Sequence, residues 1–243
     1  MLAILIGLIS VFFVKVVELA FNGFLHLEAI LGWWLIAYVP LMMIFIVFLL
    51  KKYFPEAEGS GLPQVIAIGQ MDDSSIQYYF KIKAIFSKIL LITLGTLSGG
   101  TLGREGATVQ IGASLMNQLG RNLSLQRRKT MLIVGAASGL ASAFNTPLGG
   151  IVFALEELIK TSRLKFSLFK MTGIAISGVV SISILSNYSY FGRVERNLMF
   201  YDDKIFIAAI VIGLVAGLIS VGFARVVRFF RLDKSPLVSW QKN

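Results

Sequence analysis

A chain of 243 residues that is 56% hydrophobic and only 15% charged, with a mean hydropathy of +0.78, is too apolar for a soluble domain of its size. Its formal charge of +10 lies in short clusters between apolar segments, a pattern that orients membrane helices and excludes a nucleic-acid-binding face. With no cysteine, disulfide frameworks, thiolate catalysis and cysteine-based metal sites are excluded as well.

The first apolar run continues from Met1 to about residue 21 without a basic n-region or a small-residue cleavage site, and reads as a retained membrane helix. Lys15 and Glu18 stand three residues apart in it, a spacing that pairs them on one face at a helix–helix contact. Trp33 and Trp34 sit at a segment edge and read as interface anchors, and His26 as a loop or interface residue. Further apolar segments fall at about 33–50, 84–97, 131–144, 147–159, 166–186 and 205–223. Several are shorter than the twenty or so residues that span a hydrocarbon core.

Between them lie short pieces that open at glycine-rich motifs, 59–70 at Gly59-Ser60-Gly61-Leu62-Pro63 and 103–118 at Gly103-Arg104-Glu105-Gly106. Short, Gly/Pro-interrupted helices in pairs point to a substrate site near the bilayer midplane.

Lys and Arg set an orientation. The connection at 22–32 has none, whereas 51–52, 81–88, 121–129, 160–170 and 225–234 hold two, three, four, four and four. The positive-inside rule puts these five in the cytoplasm and 22–32 outside, with the charge-balanced loop 187–204 as a second external loop. Segments 84–97 and 103–118 therefore enter from the cytoplasm and return, with Glu105 at the apex of their turn.

A carboxylate at that depth costs about 2.5–3.5 kcal/mol on insertion scales and marks an ion or proton pathway more often than a structural pair with Arg104. Irregular backbone is tolerated there only where it is buried in protein or lines a watery cavity. Gly99, Gly100, Gly103 and Gly106 allow the turn. Free amides at the helix start after Gly103 form an anion-binding arrangement, and Gly59–Pro63 offers the same device with the Ser60 hydroxyl.

These motifs, together with Gly135-Ala-Ala-Ser-Gly-Leu-Ala-Ser-Ala-Phe-Asn-Thr-Pro-Leu-Gly-Gly-Ile-Val-Phe-Ala-Leu-Glu-Glu157, occur in an order and spacing that resemble the CLC family of chloride channels and chloride/proton antiporters. The resemblance implies an all-α, polytopic integral membrane protein with CLC-type broken helices meeting at the bilayer midplane. It implies chloride transport, with Ser60, Gly61 and Leu62 as chloride-binding residues and Gly59, Pro63, Gly103, Arg104, Gly106, Asn145 and Pro147 as supporting motif residues. Ser60 is similar to the hydroxyl of chloride-selective members, where nitrate-preferring relatives have Pro. Glu105 resembles the gating glutamate, whose carboxylate competes with the anion. Glu157 resembles the internal proton-transfer glutamate of the antiporters, which favours exchange over a channel. Expected partners are chloride, protons, the lipid bilayer, as in a bacterial inner membrane, and a second copy in a homodimer whose interface uses helices around 147–186. No cofactor is implied.

The sequence departs from that pattern in two ways. Ala107 stands where the family usually has Pro. The match covers the first of the family's two inverted repeats, about 1–190, with the start of a second at about 205–230. The second-half Gly-x-Phe-x-Pro motif, the downstream Tyr and the amphipathic first helix are expected outside these residues, so a truncated, non-transporting fragment associating with a complete subunit is an alternative. Enzyme readings fare worse. An intramembrane serine protease at Ser138 lacks a Gly-x-Ser-Gly turn and a later His, no phosphate loop is present, and metal ligands are wanting.

Overall fold

The computed structural model describes residues 1–158, 167–186 and 203–230, which contain helices and turns and no strand. They divide into two units, Met1–Asn187 and Tyr188–Asn243. In the first, α1 (Leu2–Leu31) passes through the turn Gly32–Trp34 into α2 (Leu35–Tyr53). The short helices α3 (Leu62–Ile66) and α4 (Asp73–Tyr79) precede α5 (Ile82–Leu97) and α6 (Glu105–Leu119). Then come α7 (Leu125–Ala143), α8 (Pro147–Phe153) with its wide continuation Ala154–Leu158, and α9 (Leu168–Leu185). The second unit contains α10 (Asp203–Phe230). Leu2–Tyr53, Leu168–Leu185 and Phe206–Phe229 are long and apolar enough to cross a membrane.

The connection expected at 22–32 is instead helical as far as Leu31, and Gly32, at φ +50°, ends it. Packing explains the extension. A Cβ on Gly23 would lie 2.9 Å from Leu97, and one on Gly99 would lie 2.5 Å from the Phe24 ring. The polar residues Asn22, His26 and Glu28 are exposed on other faces of the same helix. Lys15 and Glu18 pair as their spacing predicts, Nζ donating to Oε2 at 2.9 Å.

Helices α5 and α6 have 16 and 15 residues, a rise of about 24 Å and about 22 Å, short of the roughly 30 Å hydrocarbon core. Their turn is closed by Gly100 N–H donating to Gly95 O at 2.8 Å and Ser98 Oγ donating to Leu94 O at 2.6 Å. Gly99 there has φ +84°, and a Cβ on Gly100 would meet Met43 at 2.5 Å. Phe24 of α1 and Met43 of α2 thus pack against the turn at Gly99 and Gly100, while Thr101, Leu102 and Gly103 are exposed.

Helices α6 and α7 cross on glycine. A Cβ on Gly112 would collide with the Gly135 carbonyl, and one on Gly139 with the Thr108 carbonyl. Such close approach maximises dispersion between helices that gain nothing from the hydrophobic effect in lipid. Helix α9 is joined to α7 by hydroxyls. Ser177 Oγ donates to Ser138 O at 2.9 Å, Ser142 Oγ to Ser177 O at 3.0 Å, and Ser181 Oγ to Ser142 O at 2.8 Å. The apolar core beneath them includes Val65, Ile76, Phe80, Val109, Leu132 and Ile174.

Arg128, only 3% exposed, clamps three helices. Its Nε donates to Asn117 Oδ1 at 2.6 Å and its Nη1 to Asp73 Oδ1 at 2.5 Å. Asn117 in turn donates to Phe80 O at 2.8 Å. Helix α4 is capped by Asp72, which accepts from Ser74 Oγ at 2.5 Å and Ser75 N–H at 3.1 Å. These bonds, that from Ser74 foremost, lower its pKa from 3.8 to about 2.

Two outcomes are expected. Gly112→Ala drives a methyl into backbone that has nowhere to move, so it lowers the thermal unfolding midpoint in detergent by the equivalent of about 1–3 kcal/mol. The Asp72 cap has a depressed pKa, so its contribution is complete above pH 3.8 and is lost as pH falls through about 2. Asp72→Ala therefore melts below the parent at pH 6, and the difference closes near pH 2.

Candidate anion site

The loop Gly59–Pro63 folds as a helix entrance because two of its residues are glycines in the left-handed region. Gly59 has φ +78° and Gly61, the cap of α3, has φ +99°. Pro63 lies in the first turn, where its missing N–H costs nothing. The first intrahelical bond is Val65 N–H to Gly61 O at 3.2 Å, so the amides of Leu62 and Gln64 precede it.

This entrance is pressed against the start of α6. A Cβ on Gly61 would lie 2.6 Å from Gly106 O and 2.7 Å from Gln110 Cβ. A Cβ on Gly106 would lie 2.6 Å from Ser60 O and 3.1 Å from Ser60 Cβ. The two glycine motifs, more than forty positions apart in sequence, therefore touch backbone to backbone. Ser60 is exposed beside the contact and Glu105, the residue before Gly106, is half-buried.

At the α6 start, Arg104 O accepts from Thr108 N–H at 3.0 Å and from Thr108 Oγ1 at 2.7 Å. The amides of Glu105, Gly106 and Ala107 come before that first helical bond, and the helix dipole adds its positive end. The Glu105 carboxylate curls back over Gly103, where a Cβ would lie 2.8 Å from Oε2. Ala107 is 1% exposed and packs with Phe13, Val17, Ile85 and Ile111. Its methyl thus anchors the first turn of α6 to α1 and α5.

Three side chains that sequence reasoning passed over hold the loop. Lys88, counted above among the orienting cations of 81–88, is instead 3% exposed and donates from Nζ to Gly59 O. Gln110 is fully buried, and its Nε2 donates to Tyr79 O at 3.0 Å and to Glu56 O at 3.4 Å. Glu56 is 1% exposed, with its carboxylate 3.4 Å from Lys83 Nζ and 3.7 Å from Lys81 Nζ. A lysine seven residues into an apolar helix was the available signal for Lys88; nothing local marks Gln110 or Glu56.

Asn145 and Pro147 serve the α7–α8 corner. Asn145, at φ +53°, accepts from Ser181 Oγ at 2.8 Å and donates from Nδ2 to Ser186 O at 3.3 Å. Pro147 faces Gly178 of α9, where a Cβ would lie 2.9 Å from the Pro147 Cα. Ser138 is buried in α7, while His26 is exposed on α1. Glu156 is exposed at the end of α8. Glu157 belongs to Ala154–Leu158, but its side chain lies outside the described residues, as do most of the loops expected at 160–170 and 187–204.

The geometry allows an anion to lie against backbone dipoles from two helix starts with a buried cation behind one of them. Gly61→Ala adds a methyl where neither the φ nor the neighbouring carbonyl admits it. It is expected to lower the thermal unfolding midpoint of the purified protein by the equivalent of about 1–3 kcal/mol.

Residues 41–235 match the family model for voltage gated chloride channels. The fold is similar to that of a CLC-type fluoride/proton antiporter, with 25% identity and a TM-score of 0.68 over 94% of this chain and 55% of that one. It is also similar to a slow cyanobacterial chloride/proton antiporter, with 24% identity and a TM-score of 0.70 over 99% of this chain and 60% of that one. The chain therefore spans somewhat more than half the length of both structures. An all-α membrane architecture, and a family match over most of the residues, identify the chain as a member of the voltage gated chloride channel (CLC) family.

Proposed function

We propose that this chain contributes the first half, about residues 1–190, of a chloride/proton antiport pathway, with the second repeat opening at about 205–230. The observation that carries the reading is the backbone contact between Ser60–Gly61 and Gly106, which puts two helix entrances and a glutamate side by side. Backbone amides suit a transported anion because they attract it without a mobile countercharge, so the ion both enters and leaves.

In this reading a dehydrated chloride lies against Ser60 Oγ and the amides of Gly61 and Leu62. Glu105 competes for the outer amides when ionised and leaves them when protonated. One set of donors shared by a carboxylate and an anion couples the two fluxes. Glu157 brings protons from the cytoplasm. The similarity to a CLC-type fluoride/proton antiporter supports exchange over channel conduction. The chain acts with no cofactor and no covalent chemistry, and pairs as a homodimer through the outward face of α8 and α9, where Leu148, Val152, Val179 and Ile184 are exposed.

The test compares the parent chain and one variant, each reconstituted in liposomes with chloride and pH electrodes. Glu105→Gln should retain chloride efflux and lose proton movement. Intact coupling in that variant contradicts the mechanism, and absence of chloride flux from folded parent protein favours the fragment that needs a complete subunit.

A further inference from the structure

Lys88 carries a charge that its surroundings leave unbalanced. It is 3% exposed in α5, and its Nζ donates to Gly59 O. Lys15, Lys81, Lys83 and Arg128 each face a carboxylate, but no carboxylate among the described residues pairs with Lys88. Glu56, three positions before Gly59, is engaged by Lys81 and Lys83, and Glu58 is exposed. Taking an ammonium out of water is costly unless an opposite charge meets it, and one neutral carbonyl is a poor substitute.

The bond to Gly59 shows where the missing negative charge belongs. The Gly59 carbonyl and the Ser60 N–H are the two ends of one peptide. No peptide bond among the described residues is cis, so the two ends point in opposite directions. Gln64, fully buried, acts in the same way one peptide earlier, its Nε2 donating to Glu58 O at 2.6 Å. Two successive carbonyls are thus drawn toward buried donors, while Gly59 and Ser60 themselves are exposed. The left-handed φ of Gly59, +78°, permits this arrangement. A cation at the carbonyl end of a peptide also polarises it, which makes the amide at the other end a better donor. The peptide therefore carries the influence of the Lys88 charge from the interior to the side where Ser60 stands. Gln64 and Gln110, the buried amides against the same loop, add no net charge.

We propose that Lys88 is a positioning residue for the transported anion: it holds the Gly59–Ser60 peptide with its carbonyl inward, and an anion beside Ser60 is the countercharge that its ammonium lacks. The inference rests on the reading of Gly59–Pro63 as a chloride site. One fixed positive charge behind the loop balances one monovalent anion, repels cations and leaves neutral solutes without reward. Because a peptide stands between ammonium and ion, the charge attracts the anion without the direct contact that would trap it.

Chloride binding by the full chain in detergent is measured by calorimetric titration in a gluconate buffer of constant ionic strength, with the thermal unfolding midpoint in gluconate recorded alongside. Lys88→Met keeps the stem and removes the charge. Its chloride affinity is expected to fall at least about tenfold, while its midpoint stays close to the parent's, because the variant also relieves a buried charge. Lys88→Gln keeps an N–H donor for the Gly59 carbonyl but not the charge, and is expected to bind chloride as weakly as Lys88→Met. If it binds like the parent, the hydrogen bond alone suffices and the proposal is overturned. Lys51→Gln, at an exposed lysine near the end of α2, is expected to change affinity less than about twofold, its charge being screened by solvent. A drop there equal to that of the Lys88 variants shows that only total charge counts, and overturns the proposal as well. Parent-like affinity with a lowered midpoint in Lys88→Met leaves Lys88 a structural role only. Absence of chloride binding by the folded parent is a separate result: it removes the chloride site itself, and this inference with it.

Discussion

The contact between Gly61 and Gly106 is the constraint on which the rest of the first unit depends. Two backbones meet where a single added methyl would lie 2.6 Å from a carbonyl oxygen, so the separation of the two helix entrances is set by peptide geometry and not by adaptable side chains. Everything around the contact fixes one of its two sides. Lys88 and Gln110 hold the α3 side, through Gly59 O and Glu56 O. The Gly112–Gly135 crossing and buried Ala107 hold the α6 side, and Phe24 and Met43 hold the turn that delivers it. An anion site built of partial charges needs such fixed spacing, because each amide contributes little and only their convergence discriminates.

Charge is divided by depth. Near the helix ends, lysines and arginines tie elements together: Arg128 joins α4, α6 and α7, and Lys83 donates to Tyr53 O at 2.5 Å. Deeper in, cations are few and committed. Lys88 sits behind the Gly59 loop with its stem packed in α5, an arrangement that satisfies a carbonyl left open by the left-handed turn and lends positive potential to the loop. The Lys15–Glu18 pair on α1 remains largely exposed, at 59% and 47%, so its contribution to stability is small.

How much of this was legible in the sequence follows from range. The glycine motifs, the short α5 and α6, and the return of the chain between two basic clusters are local or compositional, and each is found in the fold. Charge placement alone misled at 22–32: a stretch without Lys or Arg that carries Asn22, His26 and Glu28 reads as an external loop, yet Gly23 and Phe24 are needed against Leu97 and Gly99, and tertiary packing keeps it helical. Lys88 misled in the opposite sense, since its partner carbonyl lies 29 residues earlier. Gln110, Glu56 and the α7–α9 serines act across separations of 25 to 54 positions and carry no pattern of their own. Their roles become visible only once the helices are assembled.

The most direct test of the shared cradle is bromide substitution with anomalous scattering from crystals of this chain. The account predicts a bromide peak within contact distance of Ser60 Oγ and the amides of Gly61 and Leu62, and its loss on Gly61→Ala. A peak confined to the exposed lysines, or one that persists unchanged in the variant, would contradict it.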